Sequence, residues 1–210
     1  MDKLSVGVKT KLVVFDLFGT LVEYGVMHHP FRQLLMWARD NGRRPKPDDA
    51  RRLMTENGEL PELIAALGIA APDWLVEQTQ LQIQEELASL TLYDDVVPTL
   101  SALKASEVPF AICSNLASPY GRVLKRLLGE YQFIRCMSYE VGFIKPEPEI
   151  YRTVTDIAQV NPGDCLFVGD TLLADYEGPR QYGMRACHLM RNLPGCGDRI
   201  SSLEDVLTII

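Results

Sequence analysis

Four short apolar runs, each stopping at polar residues, constrain this chain more than any other feature of its sequence. The first is Lys11-Leu-Val-Val-Phe-Asp16. The others are 108–113, stopping at Ser114-Asn115, then 165–168, stopping at Gly169-Asp170, and the weaker 185–190. Short, apolar, β-branched runs read as strands buried on both faces. Helical patterns lie between and after them, at about 96–105, 119–128, 147–159 and 172–182. Strands alternating with helices predict an α/β fold, a parallel sheet with helices on both faces.

The stretch 24–92 differs. It shows helical runs at 31–41, 47–57, 61–67 and 72–90, broken at Gly42, Pro45, Gly58 and Gly68, and no strand pattern. At 210 residues the chain has room for one domain with a modest insertion. The expected organisation is a core of 1–23 and 93–210 with a helical cap, 24–92, inserted after the first strand. Open α/β sheets bind ligands at strand ends, so the cap would cover the active edge.

In a parallel sheet the residues just past the strands converge on one edge. Here they are Asp16, Ser114 with Asn115, and Asp170 with Asp175 five residues on. Lys145, in Gly-Phe-Ile-Lys-Pro-Glu-Pro, falls between the second and third runs. Carboxylates suit a hard cation such as Mg²⁺, and a hydroxyl, backbone N–H groups and an ammonium suit phosphoryl oxygens. Alone, Ser114-Asn115 would be a turn or helix cap, Asp170 a cap, and Lys145 and Asp175 solvated charges. The functional reading rests on their joint pattern.

The 28 acids and 21 bases give a formal charge of −7. Such a chain gains nothing from counterion release, so nucleic acid is not an expected partner, while one small anionic substrate in a local positive pocket is. Five cysteines without a Cys-x-x-Cys spacing argue against a disulfide framework and a zinc site, and read as small buried hydrophobes. No apolar run approaches membrane-spanning length, and residues 1–11 hold no signal-like stretch, so no membrane association and a cytoplasmic location are expected. The motifs leave oligomeric state and the particular substrate open.

Four motifs in order resemble the haloacid dehalogenase superfamily of hydrolases, in the branch with a helical cap. They are Asp16-Leu-Phe-Gly-Thr20-Leu, Ser114-Asn115, Lys145-Pro146 followed by Glu149-Ile150-Tyr151, and Gly169-Asp170-Thr171 with Asp175 then Gly183-Met184. The resemblance runs from Lys11 to about Met190. It implies a Rossmann-like parallel sheet and an inserted α-helical cap. It makes Asp16 a nucleophile that forms an aspartyl-phosphate. Mg²⁺ would be held by Asp16, the backbone carbonyl of Phe18, Asp170 and Asp175. Ser114, Asn115, Thr20 and Lys145 would contact substrate, with Lys145 and Ser114 also serving the chemistry.

One position departs from the family's phosphatases. They carry a second aspartate two residues after the nucleophile as general acid/base, and here that residue is Phe18. Losing such a group typically costs ~10²–10⁴-fold in rate. Glu23 and Tyr24 are the nearest substitutes. Phe18 also opens a rival, a metal-independent 2-haloacid dehalogenase with an aspartyl-ester intermediate, since halide leaves without a proton. Asp170 and Asp175 argue against it, because paired acids beside an anionic substrate need a cation. Phosphonate cleavage would need a cap lysine, and Lys46, between two prolines, is the one in 24–92. A ligand-binding protein with a decayed site is the reading from another class.

The remaining features have plain readings. His28-His29 read as a surface loop at the cap's start, within possible reach of substrate. His188 reads as a satisfied core residue, and Trp37 and Trp74 as cap core. Arg43, Arg44, Lys46, Arg51 and Arg52 read as a solvated face, and Asp94-Asp95 as a hinge or helix cap.

Overall fold

The computed structural model describes residues 10–210. Residues 1–9, assigned above to the core's first segment and to the signal-free N-terminus, lie outside the described residues. Strand β1 (Leu12–Phe15) is followed by the short β2 (Val22–Glu23). Helices α1 (Pro30–Asp40), α2 (Asp49–Thr55), α3 (Leu60–Ala66) and α4 (Asp73–Ser89) come next. Strand β3 (Thr91–Leu92) then pairs antiparallel with β2, so the insert leaves and rejoins the core as a two-stranded neck. This corrects the expectation of no strand in 24–92; a two-residue strand is too short to show a period.

After the neck come α5 (Val96–Ala105), β4 (Phe110–Ser114), a 3₁₀ turn at Ser118–Gly121 and α6 (Arg122–Leu128). Then follow β5 (Ile134–Met137), α7 (Ser138–Val141), α8 (Pro148–Ala158) and β6 (Cys165–Gly169). A π-helical turn (Leu172–Glu177), α9 (Gly178–Tyr182), β7 (Arg185–Leu189), β8 (Arg199–Ile200) and a 3₁₀ helix (Leu203–Thr208) close the chain. The main sheet has the order β5-β4-β1-β6-β7-β8 and every pairing is parallel. Strands β5 and β8 add to the four runs read from sequence. Arg135 interrupts the apolar run of β5, which masks its pattern.

All of β1 is buried, and its residues alternate between faces. Val13 and Phe15 pack with Leu100, Leu103 and Val123, while Leu12 and Val14 pack with Ile150, Tyr151 and Val154. Helices therefore cover both faces. From β1 the chain runs outward one way through β4 and β5, then crosses to β6 and β7 on the other side. The order reverses at β1, and the carboxyl end of such a switch strand is where open sheets leave a ligand crevice. Asp16 sits there. The five cysteines are free; Cys113, Cys136, Cys165 and Cys187 are buried and Cys196 is exposed. Among the described residues no helix is long and apolar enough to cross a membrane.

Candidate active site

Asp16 is the first residue past β1, with its N–H bonded to the Val168 carbonyl of β6 (2.9 Å). The loop turns at once through Gly19, at φ +81, where a side chain would run into the Asp170 carboxylate. Glycine is required there both by the left-handed backbone and by the close approach. Gly169 has a similar task, since a side chain would meet Asp175. Asp175 is held by the π-helical turn, a local distortion often found at functional sites. Its Oδ2 accepts from Thr171 N–H (2.9 Å), while its own N–H donates to the Thr171 carbonyl (2.8 Å).

Lys145 reaches into this edge from the loop between α7 and α8. Its Nζ donates to Asp16 Oδ1 (2.7 Å) and to Asp175 Oδ1 (2.6 Å), and lies 5.3 Å from the centre of the Phe167 ring. Lys145, Asp16 and Asp175 are all buried. Burial alone would lower the lysine's pKa, but the two carboxylates more than offset this and raise it. Burial pushes the Asp16 carboxyl up to about 6; Lys145 acts against the rise and Asp175 adds to it. The Asp170 carboxyl is also raised, by burial and then by Asp175.

Asp16, Asp170 and Asp175 present oxygens within 4.8 Å of one another. Three carboxylates against one ammonium leave two negative charges in excess when all are ionised. Hard oxygen donors gathered in this way, with an unbalanced negative charge, fit a divalent cation such as Mg²⁺.

The structure brings together Asp16, Lys145, Asp170 and Asp175. Ser114 is buried at the carboxyl end of β4, beside the strand that carries Asp16. Two expected substrate contacts have protein partners of their own in this structure. Asn115 Oδ1 accepts from the Lys145 N–H (2.6 Å) and Nδ2 donates to the Lys145 carbonyl (2.8 Å), so its side chain clamps the lysine loop. Thr20 is fully buried, and its carbonyl accepts from Arg191 (2.7 Å). The plain readings also shift. His188 is only half-buried, with Nε2 2.9 Å from the Asp170 carbonyl. Trp74 is 56% exposed and meets Trp37 edge-on. Arg43 is not solvated but forks onto Asp49 and donates to the Leu67 carbonyl (2.9 Å). Arg51 bonds Glu147 (2.6 Å) and the Gly142 carbonyl (3.0 Å), tying α2 to the lysine loop. Asp95 takes hydrogen bonds from Arg191, Ser202 and Leu203.

Phe18 faces the insert. Its ring stacks on Tyr24 (centroids 4.9 Å apart) and meets Tyr120 edge-on (6.1 Å). With Phe31, Leu116 and Met54 these rings line a cavity of about 410 Å³ between the core's strand ends and the insert. The two expected substitutes for the missing acid sit in contrasting environments. Burial and then the Glu86 charge raise the Tyr24 pKa far above its ordinary value, and Glu23 is exposed on the neck strand. Sequence reasoning missed Glu86, a buried carboxylate of α4. Its Oε1 accepts from the His28 (2.6 Å) and His29 (2.9 Å) N–H groups, and its Oε2 from the Tyr120 hydroxyl. The helical spacing of Leu75, Thr79, Ile83 and Glu86, all buried, was the available signal.

The parallel sheet thus gathers an acidic cluster and a buried lysine at the carboxyl end of its switch strand. The family model of haloacid dehalogenase-like hydrolases matches residues 10–183, and the chain belongs to that family. Over 136 residues it is 32% identical to the glyceraldehyde 3-phosphate phosphatase of Methanopyrus kandleri, covering 62% of this chain and 52% of that protein. It therefore spans about half the length of that relative. Over 193 residues it is 28% identical to (S)-2-haloacid dehalogenase 1 of a Pseudomonas species, covering 85% of this chain and 83% of that one. A crystal structure of a phosphatase of the family from Thermococcus onnurineus superposes with a TM-score of 0.63 at 23% identity, covering 95% and 97% of the two chains.

Proposed function

We propose that this chain is a Mg²⁺-dependent phosphatase of small phosphorylated metabolites, working through an aspartyl-phosphate on Asp16. The observation that carries the reading is the surplus of carboxylate over ammonium at one strand edge, with Lys145 already shared between Asp16 and Asp175. Asp16, the Phe18 carbonyl, Asp170 and Asp175 would hold the cation. Bound there, Mg²⁺ would supply positive charge that offsets the acids and draws in a phosphoryl dianion.

The chain's own groups would do the rest. An Asp16 carboxylate oxygen attacks phosphorus and the ester oxygen departs with the bonding pair. Lys145 offsets negative charge on the transferring group, and Ser114 and the N–H groups past β4 receive its oxygens. Asp175 keeps the ammonium aimed at Asp16. Water then attacks the phosphorus and releases phosphate. Phe18 neither protonates the leaving oxygen nor activates water, so transfer to Asp16 favours acidic leaving groups and turnover is slow.

The test is phosphate release from a panel of monoesters, with Mg²⁺ and with chelator, beside Asp16→Asn. Release that needs both Mg²⁺ and Asp16 supports the reading, and no release from any ester contradicts it. One observation favours a second reading: the aromatic Phe18 in the cavity wall suits a halide that leaves unaided. In that case 2-haloacids would release halide in chelator.

A further inference from the structure

Four aromatic rings form one connected series beside the nucleophile. Tyr24 stacks on Phe18 at 4.9 Å, Phe18 meets Tyr120 edge-on at 6.1 Å, and Tyr120 meets Phe31 at 6.3 Å. All four line the cavity of about 410 Å³, a volume within the usual range for a small-molecule site. Phe18, two residues from Asp16, and Asn115, next to Ser114, line this cavity, so it lies on the side of the site where a group carried on the phosphoryl would project.

The polar groups of the cavity are mostly occupied. Both Glu86 oxygens accept hydrogen bonds, and the Tyr120 proton is directed to Glu86. Tyr120 thus offers its ring rather than its hydroxyl. Arg32 is a cation that gives up no proton. Tyr24 and His29 are the remaining side chains on this wall with a transferable proton, and burial with the Glu86 charge keeps the Tyr24 hydroxyl protonated.

We propose that the cavity is a subsite for a flat aromatic leaving group, and that this chain hydrolyses aryl phosphate esters in preference to alkyl ones. The inference rests on the phosphatase reading and names its substrate class. Two separate features lead to the same class. Stacked and edge-on rings favour a planar π-system. The absence of an acid at Phe18 favours an oxygen that departs as its own anion. In the step, the bond between Asp16 and phosphorus forms as the bond from phosphorus to the aryl oxygen breaks. The electron pair stays on that oxygen, the phenolate leaves, and it takes its proton from solvent. Water later supplies the oxygen that frees Asp16.

Three esters separate the parts: phenyl phosphate, cyclohexyl phosphate and acetyl phosphate, each with Mg²⁺. Phenyl phosphate is similar in size to cyclohexyl phosphate but leaves as a weaker base. Acetyl phosphate has an acidic leaving group and no ring. The expected order of kcat/KM is phenyl, then acetyl, then cyclohexyl, with cyclohexyl at least ~10²-fold below phenyl. Tyr24→Ala should cut the preference for phenyl over acetyl phosphate about tenfold, mainly through KM for the aryl ester. Phe31→Leu, which keeps apolar bulk and removes the ring, gives the same direction if Tyr24→Ala does not fold. His29→Ala should leave the ratios among the three rates unchanged. Turnover of acetyl phosphate with cyclohexyl within tenfold of phenyl overturns the inference and leaves the phosphatase reading standing. A loss in His29→Ala that is largest on cyclohexyl phosphate and smallest on acetyl phosphate overturns it too, because His29 would then be protonating the leaving oxygen. No phosphate from any ester removes both.

Discussion

The Lys145 ammonium lies 2.7 Å from Asp16 Oδ1 and 2.6 Å from Asp175 Oδ1, with its own side chain 2% exposed. One buried cation thus holds two carboxylates that would otherwise repel each other, and it ties the lysine loop to the ends of β1 and β6.

Lys145→Met should therefore cost more than activity. Removing one partner of a buried ion pair leaves uncompensated charge and is worth ~3–5 kcal/mol. Urea unfolding in chelator should show a loss of that order. A midpoint within experimental error of the parent would mean that Asp16 and Asp175 do not depend on Lys145.

Phe18→Asp restores a carboxyl at the position where the family's phosphatases carry one. The rate on cyclohexyl phosphate should rise by ~10²-fold or more, with a smaller gain on acetyl phosphate. An unchanged rate on the alkyl ester counts against the argument that Phe18 limits proton delivery.

The insert should loosen in acid. The Arg43 guanidinium holds the Asp49 carboxyl down to about 2, from an ordinary value of 3.8. A lowered native pKa contributes stability that is complete above the unfolded value and is lost as pH falls toward the folded one. Fluorescence of Trp37 and Trp74, both in the insert, should report loosening as pH drops from about 4 toward 2. Arg43→Met should abolish that pH dependence; a transition of the same size in the variant would show that another group causes it.

Arg191 joins the insert's two crossings. It donates to the Thr20 carbonyl and to Asp95, and its guanidinium sits 3.8 Å from the centre of the Tyr93 ring. Arg191→Met should lower stability by about 2 kcal/mol, the usual scale for hydrogen bonds to a charged group. Arg191→Lys should rescue little of this, because an ammonium cannot fork between two acceptors and stack as well. Full rescue by lysine would mean that only the charge matters.

The strand runs and the residues just past them are legible in the sequence because burial on both faces imposes an apolar pattern, and because a parallel sheet carries all its strand ends to one edge. Asp16, Asp170 and Asp175 are placed this way, while Lys145, in the loop between α7 and α8, is marked only by its motif. What the sequence hides depends on long-range placement. Strand β5 is interrupted by Arg135, and β2 and β3 are too short to show a period. The Arg51–Glu147 and Arg191–Thr20 contacts join positions 96 and 171 residues apart, which no local pattern marks. Asn115 and Thr20 are substrate contacts by the resemblance, and the sequence does not show that one side chain clamps the lysine loop and the other is buried. Glu86 is marked only by its helical spacing with buried neighbours, and its partners, Tyr120 and the N–H groups before α1, come from distant segments.

The most direct measurement is an acid quench during turnover of phenyl or acetyl phosphate with Mg²⁺, followed by mass spectrometry of the peptide that contains Asp16. The expected result is a phosphoryl group on Asp16, absent in Asp16→Asn and absent in chelator. Phosphate release by the Asp16→Asn variant at the parent rate, or a phosphoryl group on another residue, would contradict the assignment of Asp16 as the nucleophile.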